Sequence, residues 1–324
     1  MKFTRNKSLL QKLIVVDGVA KCGKALFLNV ISSFDTVEKW NFNECLEFIG
    51  FAYSQKKISE DMALAILRTE MDTALYNNMI GRGVNMRLSD DTSLYNYHSP
   101  EKYLKRSLEA GGPAIYEKIL AEKPIYLCWT HDLIHKSDIV FKAFAERLIF
   151  IYINRDPIDM IYEWGCAEYS DRMAKDPTEM QYCIQYKNTM VPQIAYGWEA
   201  EYLNCGSMER TVKLVYCFMK YNSAALLKKK ALSNLHVFNF EDLLSDPLLI
   251  VTRLTSIIGT KPLPNIMEKV LRQVHCPRKI NNSVRQIRKT SILEKISQSY
   301  ADLIIEMEAI YADIKNLSYA CANV

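Results

Sequence analysis

The run Lys12-Leu13-Ile14-Val15-Val16-Asp17, followed by Gly18-Val19-Ala20-Lys21-Cys22-Gly23-Lys24-Ala25, constrains this chain more than any other segment. Short, apolar and β-branched, Lys12–Asp17 reads as a buried strand, and Lys24–Phe34 carries apolar residues at helical spacing. Glycines between a strand and a helix let the backbone turn tightly and aim N–H groups at an anion. The helix N-terminus favours negative charge at the same place. Lys21 and Lys24 can both reach that point. The match to a Walker-type loop holds up to Lys24 and fails at Ala25, where a hydroxyl would ligate magnesium. A metal-dependent ATPase or GTPase is therefore disfavoured on chemical grounds. A tight turn carrying two solvated lysines is the plainer alternative, and the loop alone does not choose between them.

Further strands are expected at Pro124–Trp129, Arg147–Ile153 and Leu235–Phe240. Between them helical patterns run over Asn43–Tyr53, Ser59–Ile80 (with Ser59 as N-cap), Lys136–Ala145, Ser207–Ala231, from Pro157, and from Asp246-Pro247. Ser99-Pro100 reads as a cap and first-turn proline. Gly81–His98 shows no period and reads as a loop. Tyr182–Asn204 is aromatic-rich and interrupted by Pro192 and Gly197, and an amphipathic helix is expected from Thr290 onward. Strands alternating with helices predict an α/β fold: a three-layer parallel sheet with a P-loop-type nucleotide-binding core and helical insertions. The expectation is a single domain over 1–324, with a core at about 12–259 and a basic, helical segment at 260–324.

Composition narrows the partners. The 324 residues are 49% hydrophobic with a formal net charge of +4, too small a bias to suggest a nucleic-acid or membrane surface. Nine cysteines include no C-x-x-C pair, which reads as reduced thiols rather than disulfides or a zinc site. The apolar run Leu9–Val16 is short and interrupted by Gln11 and Lys12, so it reads as a strand and not as a signal or a transmembrane segment. A cytoplasmic protein with no metal is expected; composition leaves its oligomeric state open.

Two further motifs carry chemistry. The strand ending at Trp129 leads into Thr130-His131-Asp132. A histidine at the C-terminal end of a parallel strand lies on the rim where such sheets hold ligands, and its pKa suits it to take a proton from a hydroxyl. A hydrogen-bonded structural histidine is the alternative. His135 could pair with it on a metal, but no further ligand is placed nearby. Arg155, emerging where Arg147–Ile153 ends, offers a planar fork for a phosphate; it could instead pair with Asp156 or Asp159.

Taken in this order, the pieces resemble the sulfotransferase family, which uses 3'-phosphoadenosine 5'-phosphosulfate. Gly18–Leu26 resembles its 5'-phosphosulfate loop, with Lys21 as the loop lysine. Trp129-Thr130-His131 resembles its Lys-Thr-His segment, and Arg155-Asp156-Pro157 with Asp159 resembles its 3'-phosphate signature. Phe240-Glu241-Asp242-Leu243 with Asp246-Pro247 resembles a late structural segment. The likeness spans about Lys12 to Gly259 and is loose between Asn43 and Lys123. It implies sulfuryl transfer to an acceptor hydroxyl without metal, with His131 as base and Lys21 stabilising charge on the leaving oxygen. It assigns the nucleotide donor to Gly18, Lys21, Cys22, Gly23, Lys24, Ala25, Arg155, Glu163, Arg278 and Lys279. Aromatic residues at Tyr182, Tyr186, Tyr196, Trp198 and Tyr202 lean towards a carbohydrate acceptor, although such residues more often serve packing.

Three positions depart from the family pattern. Lys24-Ala25 replaces a Ser/Thr pair, Trp129 replaces a lysine, and Glu163 stands where a serine contacts the 3'-phosphate. From Lys269 to Leu293 there is no acidic residue, while Arg272, Arg278, Lys279, Arg285, Arg288 and Lys289 occur. Glu163 is expected to be turned away by the helix or paired with a residue of this run; facing the site, it would instead select against a 3'-phosphorylated nucleotide. The rivals are a P-loop kinase with Asp132 organising magnesium, and a non-catalytic relative that binds a nucleotide or glycan.

Overall fold

The computed structural model describes residues 1–5, 7–179 and 181–320. The chain forms two compact units that alternate along the sequence. The first comprises Met1–Gly18, Gly23–Ile153 and Ala231–Arg278; the second comprises Val19–Cys22, Asn154–Lys230 and the chain from 279 onward.

The first unit is built on a five-stranded sheet flanked by helices. Its strands are β1 (Lys12–Asp17), β2 (Asn41–Phe42), β3 (Ile125–Trp129), β4 (Leu148–Asn154) and β7 (Leu235–Asn239), in the order β2-β3-β1-β4-β7. β1 pairs in parallel with β3 and β4, and β2 in parallel with β3. Parallel strands covered on both faces become unbroken apolar runs. Accordingly Leu13–Val16, Ile125–Cys128 and Leu148–Ile153 are all buried. The helix after β1, α1 (Lys24–Ile31), begins directly from Gly23. Helix Glu44–Ser54 starts where the Asn43 side chain accepts from Leu46 N at 3.3 Å, and Glu60–Met79 where Ser59 accepts from Met62 N at 3.4 Å.

In the second unit helix Pro157–Cys166 opens on the Asp156 side chain, which accepts from Ile158 N at 2.9 Å, with Pro157 at a position that needs no N–H partner. The unit also holds the long helices Ser207–Lys229 and Gln298–Ala320, and an antiparallel hairpin of β5 (Cys183–Tyr186) and β6 (Thr189–Pro192).

Four features differ from expectation. β2 is two residues long, too short to show a period. The hairpin lies inside the aromatic-rich stretch with no element assigned, since four-residue strands leave little alternation. Helices Pro113–Glu122, Pro264–Gln273 and Asn282–Leu293 also form, so Thr290 lies within a separate helix and the terminal one begins at Gln298. The Ser99 hydroxyl does not cap its helix and instead lies 2.9 Å from the His98 ring.

Candidate active site

In the first unit the adjacent ends of β1 and β3 set the geometry. Val16 lies opposite Trp129, so Asp17, the last residue of β1, stands beside Thr130, the first residue after β3. Thr130 N donates to Val16 O at 3.0 Å, and the Thr130 hydroxyl donates to Asp17 Oδ1 at 2.8 Å. The fully buried Asp17 carboxylate also accepts the amides of Leu133 at 3.2 Å and Ile134 at 2.7 Å. A buried carboxylate is tolerated when its lone pairs are filled in this way. The turn that carries His131 is thereby clamped at both ends.

His131 donates its backbone N–H to the Glu47 carboxylate, and its ring packs edge-on to Trp129 at 4.5 Å and beside Phe42 at 5.5 Å. Lys24, 5% exposed, reaches back from the first turn of α1. Its ammonium donates to Gly18 O and lies 3.5 Å from His131 Nδ1. Desolvation first, and the Lys24 cation second, hold the His131 pKa well below the usual imidazole range. The ring is therefore neutral at neutral pH. Because an ammonium only donates, the nitrogen facing it carries the lone pair and the ring proton resides on Nε2.

Trp129 contributes a donor of its own. Its indole N–H is buried and has no acceptor among the described residues. Lys24 Nζ lies 5.8 Å from the same ring. An orphaned N–H beside a lysine and a neutral histidine suits an anionic oxygen. The loop is also shaped for close approach. Gly23 has φ +91°, and a Cβ there would sit 2.2 Å from the Phe240 ring.

Glu47 carries no signal in the sequence beyond its place in the first turn of a helix. Burial, opposed by the His131 amide and aided by Asp17 and Asp132, pushes its pKa up to about 7. Asp132 pairs with Lys136 Nζ at 2.6 Å, and His135 Nδ1 lies 3.1 Å from its other oxygen. Among the described residues no group of three or more His, Cys, Asp or Glu side chains is placed to hold a metal ion.

The second unit holds the remaining loop residues and the arginine motif. Cys22, which is buried, donates its N–H to Val19 O at 3.0 Å. The Ala20 carbonyl accepts from the Trp164 indole at 2.9 Å, and the Lys21 carbonyl accepts from Arg155 Nη1 at 2.5 Å. With these carbonyls engaged, the Lys21 side chain is left exposed. Arg155 thus braces the loop through its backbone.

Asp159 takes Arg285 Nη2 at 2.7 Å and Arg288 Nη1 at 2.8 Å. Burial works to raise its pKa, but the two arginines outweigh it and hold the carboxyl below the usual range. Asp156 pairs with Arg285 Nη1 at 3.2 Å. Arg288 Nη2, from the basic run, stands 3.9 Å from Glu163. Arg278 and Lys279 are exposed, and the Arg278 amide donates to Leu244 O at 2.7 Å in the first unit.

The aromatic residues proposed as a sugar wall divide. Tyr202 is buried, with its hydroxyl on Met173 O at 3.0 Å, and the Trp198 indole donates to Ile194 O at 3.1 Å. Tyr182 and Tyr196 are exposed. Among the described residues no helix is long and apolar enough to cross a membrane.

No family model matches the chain, and no curated protein matches it in sequence. Solved structures that it is similar to are sulfotransferases. The sulfotransferase domain of the Synechococcus PCC 7002 olefin synthase is 11% identical, with 99% of this chain and 98% of that one covered at a TM-score of 0.42. That of the curacin biosynthetic pathway is 10% identical, covering 79% and 77% at 0.42. A Mycobacterium avium sulfotransferase is 13% identical, covering 90% and 78% at 0.39. Likeness at this level carries no argument about reaction or residues, which stand on the chain's own geometry.

Proposed function

We propose that this chain is a sulfotransferase, moving a sulfuryl group from 3'-phosphoadenosine 5'-phosphosulfate to an acceptor hydroxyl. The observation that carries the reading is the cluster at the ends of β1 and β3. There a lysine from the phosphate-type loop meets a neutral strand-end histidine at 3.5 Å, beside an indole N–H without an acceptor.

The nucleotide supplies an activated sulfuryl group on a mixed anhydride. Catalysis of such transfers is mainly positioning and neutralisation of charge. Lys24 and the N–H groups of the Gly18–Gly23 loop hold the 5'-phosphate, with Cys22 and Ala25 contributing backbone only. Lys21 stabilises charge on the leaving oxygen. His131 takes the acceptor proton at Nδ1, the nitrogen with the lone pair, and the Asp17 and Glu47 contacts keep its turn in place. Trp129 N–H donates to an oxygen of the transferring group. Arg155 is assigned the 3'-phosphate, with Arg278 and Lys279 as further cations. Glu163 stays turned to Arg288.

The chemistry asks for no metal, in keeping with Ala25. The location proposed is the cytoplasm, where cysteines stay reduced. Exposed Tyr182 and Tyr196 make carbohydrates the first acceptor class to test.

Calorimetry against adenosine 3',5'-bisphosphate, ADP and ATP, with and without magnesium, tests the nucleotide assignment. Preference for the bisphosphate without magnesium is expected; magnesium-dependent binding of ATP would replace this reading with a kinase. His131→Ala should leave bisphosphate affinity unchanged and lower turnover by roughly 10²–10⁴-fold. Unchanged turnover would remove the base from His131.

A further inference from the structure

A cavity of about 500 Å³ lies within the first unit, along the flank of α1 that presents Ala25 and Asn29. Lys39, Trp40, Tyr95 and His98 also line it. Its size is that of a small-molecule pocket.

Lys39 is the unusual member. It is 3% exposed, and its ammonium donates to Trp40 O at 3.3 Å and to Thr92 O. Among the described residues no carboxylate pairs with it. Burial pushes its pKa down to about 8, so it remains mostly charged at neutral pH. An ammonium has three donors, and two carbonyls leave one of them for something else. A buried charge without a counter-ion is unfavourable.

The other polar groups of the wall add no buried charge. His98 Nε2 lies 2.9 Å from Ser32 O, which can only accept, so Nε2 carries the proton and Nδ1 accepts from the Ser99 hydroxyl at 2.9 Å. Burial keeps that imidazole below its usual pKa, hence neutral. The Trp40 indole N–H is spent on Asn29 Oδ1 at 3.0 Å, which fixes the ring as a flat wall. Lys269 and Asp91, one of each charge and both exposed, stand at its edge.

We propose that this cavity binds a small organic monoanion, its anionic group paired with Lys39 and its apolar body lying against Trp40 and Tyr95. One uncompensated cation matches one negative charge, and the aromatic wall matches a ring. The proposal does not depend on the sulfuryl-transfer reading.

Two fluorescent dyes of nearly the same shape test it: the monoanion 8-anilinonaphthalene-1-sulfonate and its neutral counterpart N-phenyl-1-naphthylamine. The full chain should bind the anionic dye with one-to-one stoichiometry and at least about 10-fold more tightly than the neutral one, the scale of a charged hydrogen bond. Lys39→Met should lose that preference while holding the neutral dye as before, and Lys39→Arg should retain it. Thermal melting confirms that the variants fold, and the comparison of dyes on the wild type stands even if they do not. No one-to-one binding of the anionic dye, equal affinity for both dyes, or an unchanged preference in Lys39→Met overturns the proposal. Adenosine 3',5'-bisphosphate should leave the dye in place; competitive displacement would assign the cavity to the nucleotide and overturn a separate site.

Discussion

The ammonium of Lys24 lies 3.5 Å from Nδ1 of His131, so the cation of the loop directly opposes protonation of the histidine. An anion that draws Lys24 towards itself both frees the Nδ1 lone pair and neutralises the opposing charge. The two effects act in the same direction on the histidine's basicity.

It follows that the His131 pKa, depressed in the free protein, should rise when adenosine 3',5'-bisphosphate binds. Imidazole nitrogen shifts followed by NMR across a pH series, with and without the nucleotide, read this directly. Lys24→Met should raise the pKa of the free protein and abolish the response to nucleotide. A pKa indifferent to both would separate the loop from the histidine.

The loop lysines should each matter for affinity. Lys21→Ala and Lys24→Ala are expected to weaken nucleotide binding by about 1.5–3 kcal/mol apiece if each makes a charged hydrogen bond. Affinity unchanged in both variants, measured by calorimetry, would remove the phosphate from this loop.

How far the fold and the site were legible in the sequence depended on length and on local chemistry. β1, β3 and β4 are long enough and buried enough to be read as unbroken apolar runs, and the Asp156-Pro157 and Ser59 starts show in three or four residues. β2 has only Asn41 and Phe42, and the strands of the hairpin have four residues each, too few to establish a period. His131 and Arg155 were named as candidates because a motif placed each of them at a strand end. Glu47 was not, because its contact with His131 spans 84 residues and no spacing rule reports a carboxylate that meets a backbone amide from a distant helix. Nor could pattern reveal that Trp129, which reads as a lost lysine, has a buried N–H to offer.

Gly23 should resist substitution. An alanine there would need φ near +91° and would place its Cβ 2.2 Å from the Phe240 ring. The backbone penalty is roughly 1–2 kcal/mol and the overpacking roughly 1–3 kcal/mol. Gly23→Ala should lower stability by about 2–5 kcal/mol in urea unfolding, with part of the loss recovered by Phe240→Leu. A loss below about 1 kcal/mol would mean that the turn relaxes freely.

Glu47 gives a signed dependence on pH. Its folded pKa of about 7 lies above its ordinary value of 4.5, so between those values the folded chain holds the proton more tightly than the unfolded one. Its contribution to stability is therefore fully present below about pH 4.5 and is lost as pH rises through 7. Relative to Glu47→Gln, which keeps an acceptor for the His131 amide but does not titrate, the wild type should lose stability from pH 5 to 7 and run parallel above 8. Urea midpoints for both proteins across that range provide the check, and curves parallel throughout would show that Glu47 is ionised in both states.

Glu163 offers the sharpest test of nucleotide choice. A carboxylate facing a 3'-phosphate at about 4 Å would repel it by roughly 1 kcal/mol in water and up to about 4 kcal/mol at a partly shielded site. The structure gives Glu163 a cationic neighbour: Arg288 stands 3.9 Å away, held in turn by Asp159 at 2.8 Å and stacked over Tyr162 at 4.5 Å. Glu163 is part exposed, so the pair is worth no more than about 1 kcal/mol, and Arg288 keeps its place without it. Glu163→Ser should accordingly change stability little and improve binding of adenosine 3',5'-bisphosphate only modestly, with wild type already preferring it to ADP. Asp159→Asn is the contrasting variant. It removes the carboxylate that holds both Arg285 and Arg288 and should alter bisphosphate affinity more than Glu163→Ser does. A wild type that prefers ADP or ATP, reversed by Glu163→Ser, would show that the carboxylate selects the nucleotide and that the donor is not the 3'-phosphorylated one.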